Sequence, residues 1–178
     1  MAEATSSTGS PLADFSQCHR AIVVGMRAFA GLPDLMAAAE RARVTAAATL
    51  ALFEDAILPH HADEEAELFP AVRASSRPGD ERVRVEGMIG RLTAEHRSIE
   101  AFWATLKPGV KQAAAGAHGV LDPEAVAALA FAYNRHAAYE ETEFLPLAAE
   151  ILGRDRNHLD ALDLSLHLRH TPLPVGYI

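Results

Sequence analysis

The sequence has little of what disulfide-linked, nucleic-acid-binding or membrane-spanning proteins depend on. Its 178 residues include one cysteine, so no disulfide can form within the chain. The 16 basic residues are scattered among 24 acidic ones and the net charge is -8, whereas a phosphate-binding surface needs clustered Lys and Arg. No apolar run reaches membrane-spanning length, and residues 1–10 lack the features of a signal peptide. We therefore expect a cytoplasmic protein with no nucleic-acid or membrane partner, and read residues 1–10 as a flexible leader.

Strand-like alternation is also scarce, and apolar residues recur at spacings of three and four, which predicts an all-α protein. Chain-breaking residues divide the sequence into four long helices, at about 11–29, 33–72, 80–108 and 123–153. Helices of this number and length predict an up-down four-helix bundle over residues 11–153. Residues 154–178 are predicted to form a short helix, at about 158–167, and an irregular tail.

The chain resembles itself. Residues 60–70 read HHADEEAELFP and residues 136–146 read HAAYEETEFLP, with six of eleven positions identical. A shift of one more residue aligns His19-Arg20 with His96-Arg97. Each half thus carries a histidine on its first helix and a His-x-x-x-Glu on its second. This pattern predicts a pseudo-twofold bundle built from two like helical hairpins.

The repeated residues share faces with the apolar stripes. Residues four apart lie on one face of a helix, so His60 projects with Glu64, and His136 with Glu140. By the same spacing His19 and His96 lie on the apolar faces of their helices. A single inward histidine is more often a hydrogen-bonded core residue, and an acidic run is usually a solvated surface. Six such residues in two matched halves instead predict a dinuclear metal site, because buried charges are paired or bound to metal.

These motifs resemble the hemerythrin-like HHE family over about residues 12–150. That family pattern has a histidine on helix one, His-x-x-x-Glu followed by Leu-Phe-Pro on helix two, a histidine on helix three, and a second His-x-x-x-Glu on helix four. The resemblance implies two iron ions with an oxo or hydroxo bridge, for which zinc or manganese could substitute. It also implies two bridging carboxylates, Glu64 and Glu140. The ligand set so predicted is His19 and His60 on one iron, His96 and His136 on the other, and Glu64 and Glu140 between them.

A seventh ligand is left open between two residues. Glu100 follows His96 by one turn and shares its face, whereas His61 is turned by about 100° from His60. This spacing favours Glu100, and water in place of either is the third alternative. Oxygen-carrying members of the family have a histidine at the position of Glu100, so the carboxylate favours reactive chemistry over simple carriage.

Three functions follow from the resemblance. The first is an enzyme with catalase- or peroxidase-like activity that reacts with small oxidants in oxidative stress defence, supplied by an electron donor not identified by the sequence. The second is reversible binding, storage or sensing of dioxygen or nitric oxide. The third is iron handling without catalysis. The fold alone does not choose among them.

Overall fold

A computed structural model describes residues 11–154, with side chains described from residue 15 onward. Every regular element in this part of the chain is helical, as predicted. The helices are α1 (Pro11–Ala30), α2 (Leu32–Ala51), α3 (Leu58–Asp63), α4 (Phe69–Ser75), α5 (Asp80–Ala114), α6 (Pro123–Tyr139) and α7 (Leu145–Leu152). The predicted leader and the short helix over 158–167 lie outside the described residues.

Three π-helical segments join the shorter helices end to end. They are Leu52–Ile57, Glu64–Leu68 and Glu140–Phe144. Each ends two residues before a proline: Pro59, Pro70 or Pro146. The backbone N–H of the residue before each proline donates to the carbonyl five residues earlier in the chain, as that of Phe69 does to the carbonyl of Glu64. Proline clashes with the carbonyl four residues before it, and the wider turn relieves that clash without ending the helix.

Through these joints the chain forms three long helical runs: α1–α4, α5 and α6–α7. The α5 and α6–α7 runs pack as a bundle with the C-terminal part of the α1–α4 run. α5 continues past Pro108, where the sequence predicted its end, to Ala114, and Val110 beyond that proline is buried against α2. The connection to α6 then turns at Gly116, whose φ of 72° suits glycine.

The core consists of two apolar layers. The lower layer joins α4, the first half of α5 and α7 around Val72, Leu92 and Phe144. The upper layer joins α2, the second half of α5 and α6 around Phe53, Ile99 and Trp103, with the Phe53 and Trp103 rings stacked 4.1 Å apart. Between the two layers lie the repeated His and Glu residues, so apolar packing fixes their backbones from both sides.

The first helix departs from the predicted four-helix arrangement. α1 runs on from α2 with only a bend at Gly31, and its apolar residues Phe15, Ile22, Met26 and Phe29 remain exposed. The described residues therefore show a helical bundle of three runs, and α1 does not pack as a fourth.

The bent helix Phe15–Ser75 is also long and apolar enough to cross a membrane by length and composition alone. It contains an 18-residue window of mean hydropathy 1.4 with no buried residue. The expectation that no segment reaches that length is not supported here. The observation is weak evidence for a membrane, because core helices and signal sequences meet the same criteria.

Candidate metal centre

Two groups of ligand-bearing side chains meet between the apolar layers. His61, His96 and His136 form one group, and His60, Glu64 and Glu140 form the other. Within each group the ligand atoms lie within 4.8 Å of one another. All but His60 are buried. Three helical runs thus supply four imidazoles and two carboxylates to one small volume.

Glu64 connects the two groups. Its Oε1 lies 3.1 Å from His60 Nε2, and its Oε2 lies 3.2 Å from His96 Nε2. Glu64 stands at the start of a π segment, where the wide turn lets its carboxylate extend between α3 and α5. A carboxylate with one oxygen toward each histidine group has the geometry of a bridging ligand.

Many buried polar atoms at this place have no aligned hydrogen bond. They are both ring nitrogens of His61 and His136, His96 Nε2, Glu64 Oε2, Glu95 Oε2 and Glu140 Oε1. Buried polar atoms are rarely left without a partner, because each costs roughly 1–3 kcal/mol. Imidazole nitrogens and carboxylate oxygens facing one another are the donor set that iron, manganese and zinc accept. The residues present therefore fit a metal centre.

The electrostatics agree with that fit. Burial, with His96 and His136 nearby, lowers the pKa of His61 to about 3, so its ring is neutral and keeps a lone pair for a metal. Burial and the hydrogen-bonded Glu64 raise the pKa of Glu140 well above its usual range. Burial acts to raise the pKa of Glu64 as well, but its close contacts with His60, His96 and Glu140 hold it below the usual range. The two pKa shifts run in opposite directions, as expected for two close carboxyl groups that do not both ionise readily.

Carboxylates outside the two groups orient the histidines. His96 Nδ1 donates to Glu65 Oε1 at 2.8 Å, which turns Nε2 and its lone pair into the site. Glu65 is held in turn by a short ion pair with Arg97. Glu95 Oε2 lies 3.4 Å from His136 Nδ1 and is placed to do the same. The sequence reasoning gave Glu65 and Glu95 no role.

The structure brings five of the six predicted ligands together: His60, Glu64, His96, His136 and Glu140. The sixth, His19, is exposed on α1, where its ring packs edge-on against Phe15. Of the two candidates for a seventh ligand, His61 is buried in the site, with its ring stacked on His96 at 3.9 Å. Glu100 is one-third exposed at the rim, 3.7 Å from His61 Nδ1 and paired with Arg97.

The position of His61 follows from local helix geometry. His60 and His61 are adjacent on α3 and stay about 100° apart around the helix axis. The π turns on either side rotate α3 as a whole relative to the flanking helices, and in this orientation His61 is buried and His60 partly exposed. The signal available in the sequence was the pair Pro59 and Pro70, which mark where the turns widen.

Comparison with known proteins then decides the family. The model of the hemerythrin HHE cation-binding domain matches residues 10–148, most of the chain. The chain belongs to the hemerythrin HHE cation-binding family. The match confirms the predicted resemblance, and the family is described as cation-binding. The two His and Glu groups could hold a metal ion. No curated protein and no solved structure matches the chain.

Proposed function

We propose that this HHE domain holds two iron ions at a carboxylate-bridged centre and reacts there with small oxidants such as peroxide or dioxygen. The observation that supports this most is Glu64, which points one oxygen at a histidine of each group. His61, His96 and His136 would hold one ion, and His60 with Glu140 the other. His19 would complete the second group if the helix that carries it packed beside that group. Zinc or manganese would fit the same ligands.

When bound, such a pair supplies redox chemistry and an open position for a small molecule. The protein residues exclude bulk water and control protons around that position. The raised pKa of Glu140 favours its protonated form, and this carboxyl group would have to lose its proton to serve as a metal ligand. Tyr133 lies over His61 and His136, and burial together with the charges of Glu64 and Glu140 raises its pKa. It therefore stays a neutral phenol that can donate a hydrogen bond.

A groove of about 520 Å³ gives a small molecule an approach. It is lined by Leu58, Ala62, Glu65, Ala66, Arg97 and Glu100. Glu65 and Glu100 connect it to the buried histidines, because one accepts from His96 and the other lies beside His61. The carboxylate of Glu100 at this entrance, rather than another imidazole, favours oxidant turnover over reversible carriage. We propose a role in oxidative stress defence in the cytoplasm, with an electron donor still to be identified.

Stopped-flow spectroscopy tests the proposal on iron-loaded protein. We expect the wild type to hold close to two iron ions per chain, and its reduced form to change spectrum rapidly with hydrogen peroxide. Glu64→Ala is expected to lose both the iron and the reaction, and exposed Glu143→Ala, the matched control, to keep both. A stable, reversible spectrum with dioxygen and no peroxide reaction would support the alternative, a carrier or sensor. Two bound irons with neither response would support iron handling.

A further inference from the structure

Among residues 11–154, α1 is a helix without a packing partner on its apolar face. Its apolar residues recur on one face, yet Phe15 is 64% and Phe29 65% exposed. In proteins an amphipathic helix gains most of its stability from a surface that covers the apolar face. α1 therefore needs a complementary surface.

The sequence repeat identifies that surface. α5 packs on the α2–α4 run with His96 and Arg97 both on Glu65. In the repeat, His19 and Arg20 correspond to His96 and Arg97 of α5. Glu141 corresponds to Glu65, which follows α3. Glu141 is exposed on the π segment between α6 and α7. A helix at the symmetry-related position would thus bring His19 and Arg20 against Glu141, beside the His60, Glu64 and Glu140 group.

The second helical hairpin, formed by α5 and α6, shows where a turn must lie if α1 is to reach Glu141 of its own chain. His96 and His136 are each 20 residues from Gly116, so a turn there brings them to one level. A methyl group on Gly116 would lie 3.9 Å from Arg43 Cδ, so this turn marks the end of the bundle at the level of Arg43. The corresponding midpoint between His19 and His60 falls between Ala39 and Glu40.

No turn exists at that midpoint. α2 is unbroken from Leu32 to Ala51, and Glu40 and Arg43 form an ion pair along it. Three alanines, residues 37–39, precede the pair, and alanine is the strongest helix former. The break in the long helix is at Gly31 instead. A hairpin turned at Gly31 would return His19 only to the level of Arg43, 17 residues and about 26 Å short of His60.

We propose that α1 of a second copy of the chain fills this position, in a dimer that exchanges its first helices. Two long helices would run antiparallel and cross between Ala39 and Glu40, which sets His19 of each copy level with His60 of the other. The apolar residues then correspond, with Ile22 level with Ile57, and Met26 with Phe53. Each bundle ends at Arg43, so the two bundles lie on opposite sides of the crossing. The inference rests on the proposed function only in making His19 a ligand supplied in trans.

A charge exchange tests the dimer without reference to metal. Arg20→Glu and Glu141→Arg should each weaken the homodimer through like charges at both contacts. Mixed together, the two variants should form a heterodimer, because each contact then joins opposite charges. Native mass spectrometry should show it as the main dimer. Glu143→Arg, mixed with Arg20→Glu, is the matched control. Its main dimer should be the Glu143→Arg homodimer, because one of the two contacts in the mixed dimer joins like charges. The dimer would be overturned if the first mixture formed no heterodimer while a single chain with both changes behaved as the wild type. That result would show that α1 packs within its own chain.

A linker insertion tests the turn. A flexible segment of about six Gly and Ser residues between Ala39 and Glu40 should let α1 fold back, converting the dimer to a monomer. The same segment between Ala117 and His118 should leave the dimer intact. Light scattering gives the mass, and iron per chain is measured in parallel. A monomeric wild type with two bound irons would overturn the dimer but not the proposed function. A dimer without iron would overturn the proposed function but not the dimer. Monomer that sediments with phosphatidylcholine vesicles would assign α1 to a membrane and overturn the dimer.

Discussion

His96 and His19 occupy matching positions in a repeated sequence but lie in opposite environments. His96 is fully buried, with Glu65 fixing its ring, whereas His19 is exposed on a helix whose apolar face is covered by none of the described residues. Both precede an arginine and both lie on an apolar face. The difference comes from the connection that follows each helix, a turn at Gly116 in one half and a nearly continuous helix in the other. A local motif thus sets which face a histidine is on, and the connection sets what that face meets.

Loss of the residue shared by both groups should have the largest effect. Because Glu64 faces His60 and His96 at once, Glu64→Ala should reduce bound metal from about two ions per chain to none. His19→Ala should remove at most one, since His19 belongs to one group only. Metal analysis after gel filtration without chelator measures both. Equal losses would break the comparison, because His19 would then matter as much as the bridge.

The apolar layers should show the same contrast in stability. Phe144 is fully buried in the lower layer, so Phe144→Ala should lower the free energy of unfolding by about 3–5 kcal/mol. Phe15→Ala on α1 should change it by less than about 0.5 kcal/mol in protein dilute enough to be monomeric. Urea unfolding followed by circular dichroism gives both values. A large cost for Phe15→Ala at high dilution would mean that α1 packs within its own chain.

The carboxylate behind His96 should act on metal affinity rather than on folding. Glu65→Gln removes the charged acceptor that orients the ring, and such changes typically cost about 10–100-fold in metal affinity. Competition with a chelator would measure it. Glu65 neighbours Arg97, so Arg97→Gln serves as the control for a lost ion pair and should have a smaller effect. Unchanged affinity in Glu65→Gln would show that packing alone orients His96.

The smallest expected effect is the pH dependence of the metal-free protein. The pKa of His61 is lowered in the folded state, so its contribution to stability is present above the ordinary value of 6.5 and is lost as pH falls toward about 3. The pKa of Glu140 is raised, so its contribution is present below the ordinary value of 4.5 and is lost as pH increases through the raised value. Between pH 7 and pH 4 the two contributions change in opposite directions, because that of His61 is lost while that of Glu140 is regained, and we expect only a small net change in stability. Thermal unfolding of the apoprotein measures it, and His61→Asn should remove the loss on the acid side.

The helical class, the repeat and the level of the site could all be predicted from spacing alone. The repeat identified His60, Glu64, His96, His136 and Glu140 because residues four apart share a face whatever the tertiary structure. Their role as ligands stays a prediction. The four-helix arrangement is not confirmed, because the helix break predicted between about residues 29 and 33 is only a bend at Gly31 in the structure. Gly and Pro indicate that a helix bends, but the distances from Gly31 to His19 and to His60 decide whether a hairpin is possible.

The π turns carry a consequence for how sequences like this one tolerate length changes. Each holds one residue more than the α-turn it replaces, and each is coupled to a proline two residues beyond it. Deleting one residue of a π segment and replacing its proline with another residue would restore a regular α-turn and keep the helices on either side in phase. Deleting the residue without restoring that α-turn would rotate everything beyond it by about 100°. In related sequences, deletion of a residue and loss of the proline should therefore occur together at these three places. A one-residue gap after Glu64 or Glu140 in an alignment then does not mean that a ligand has been lost.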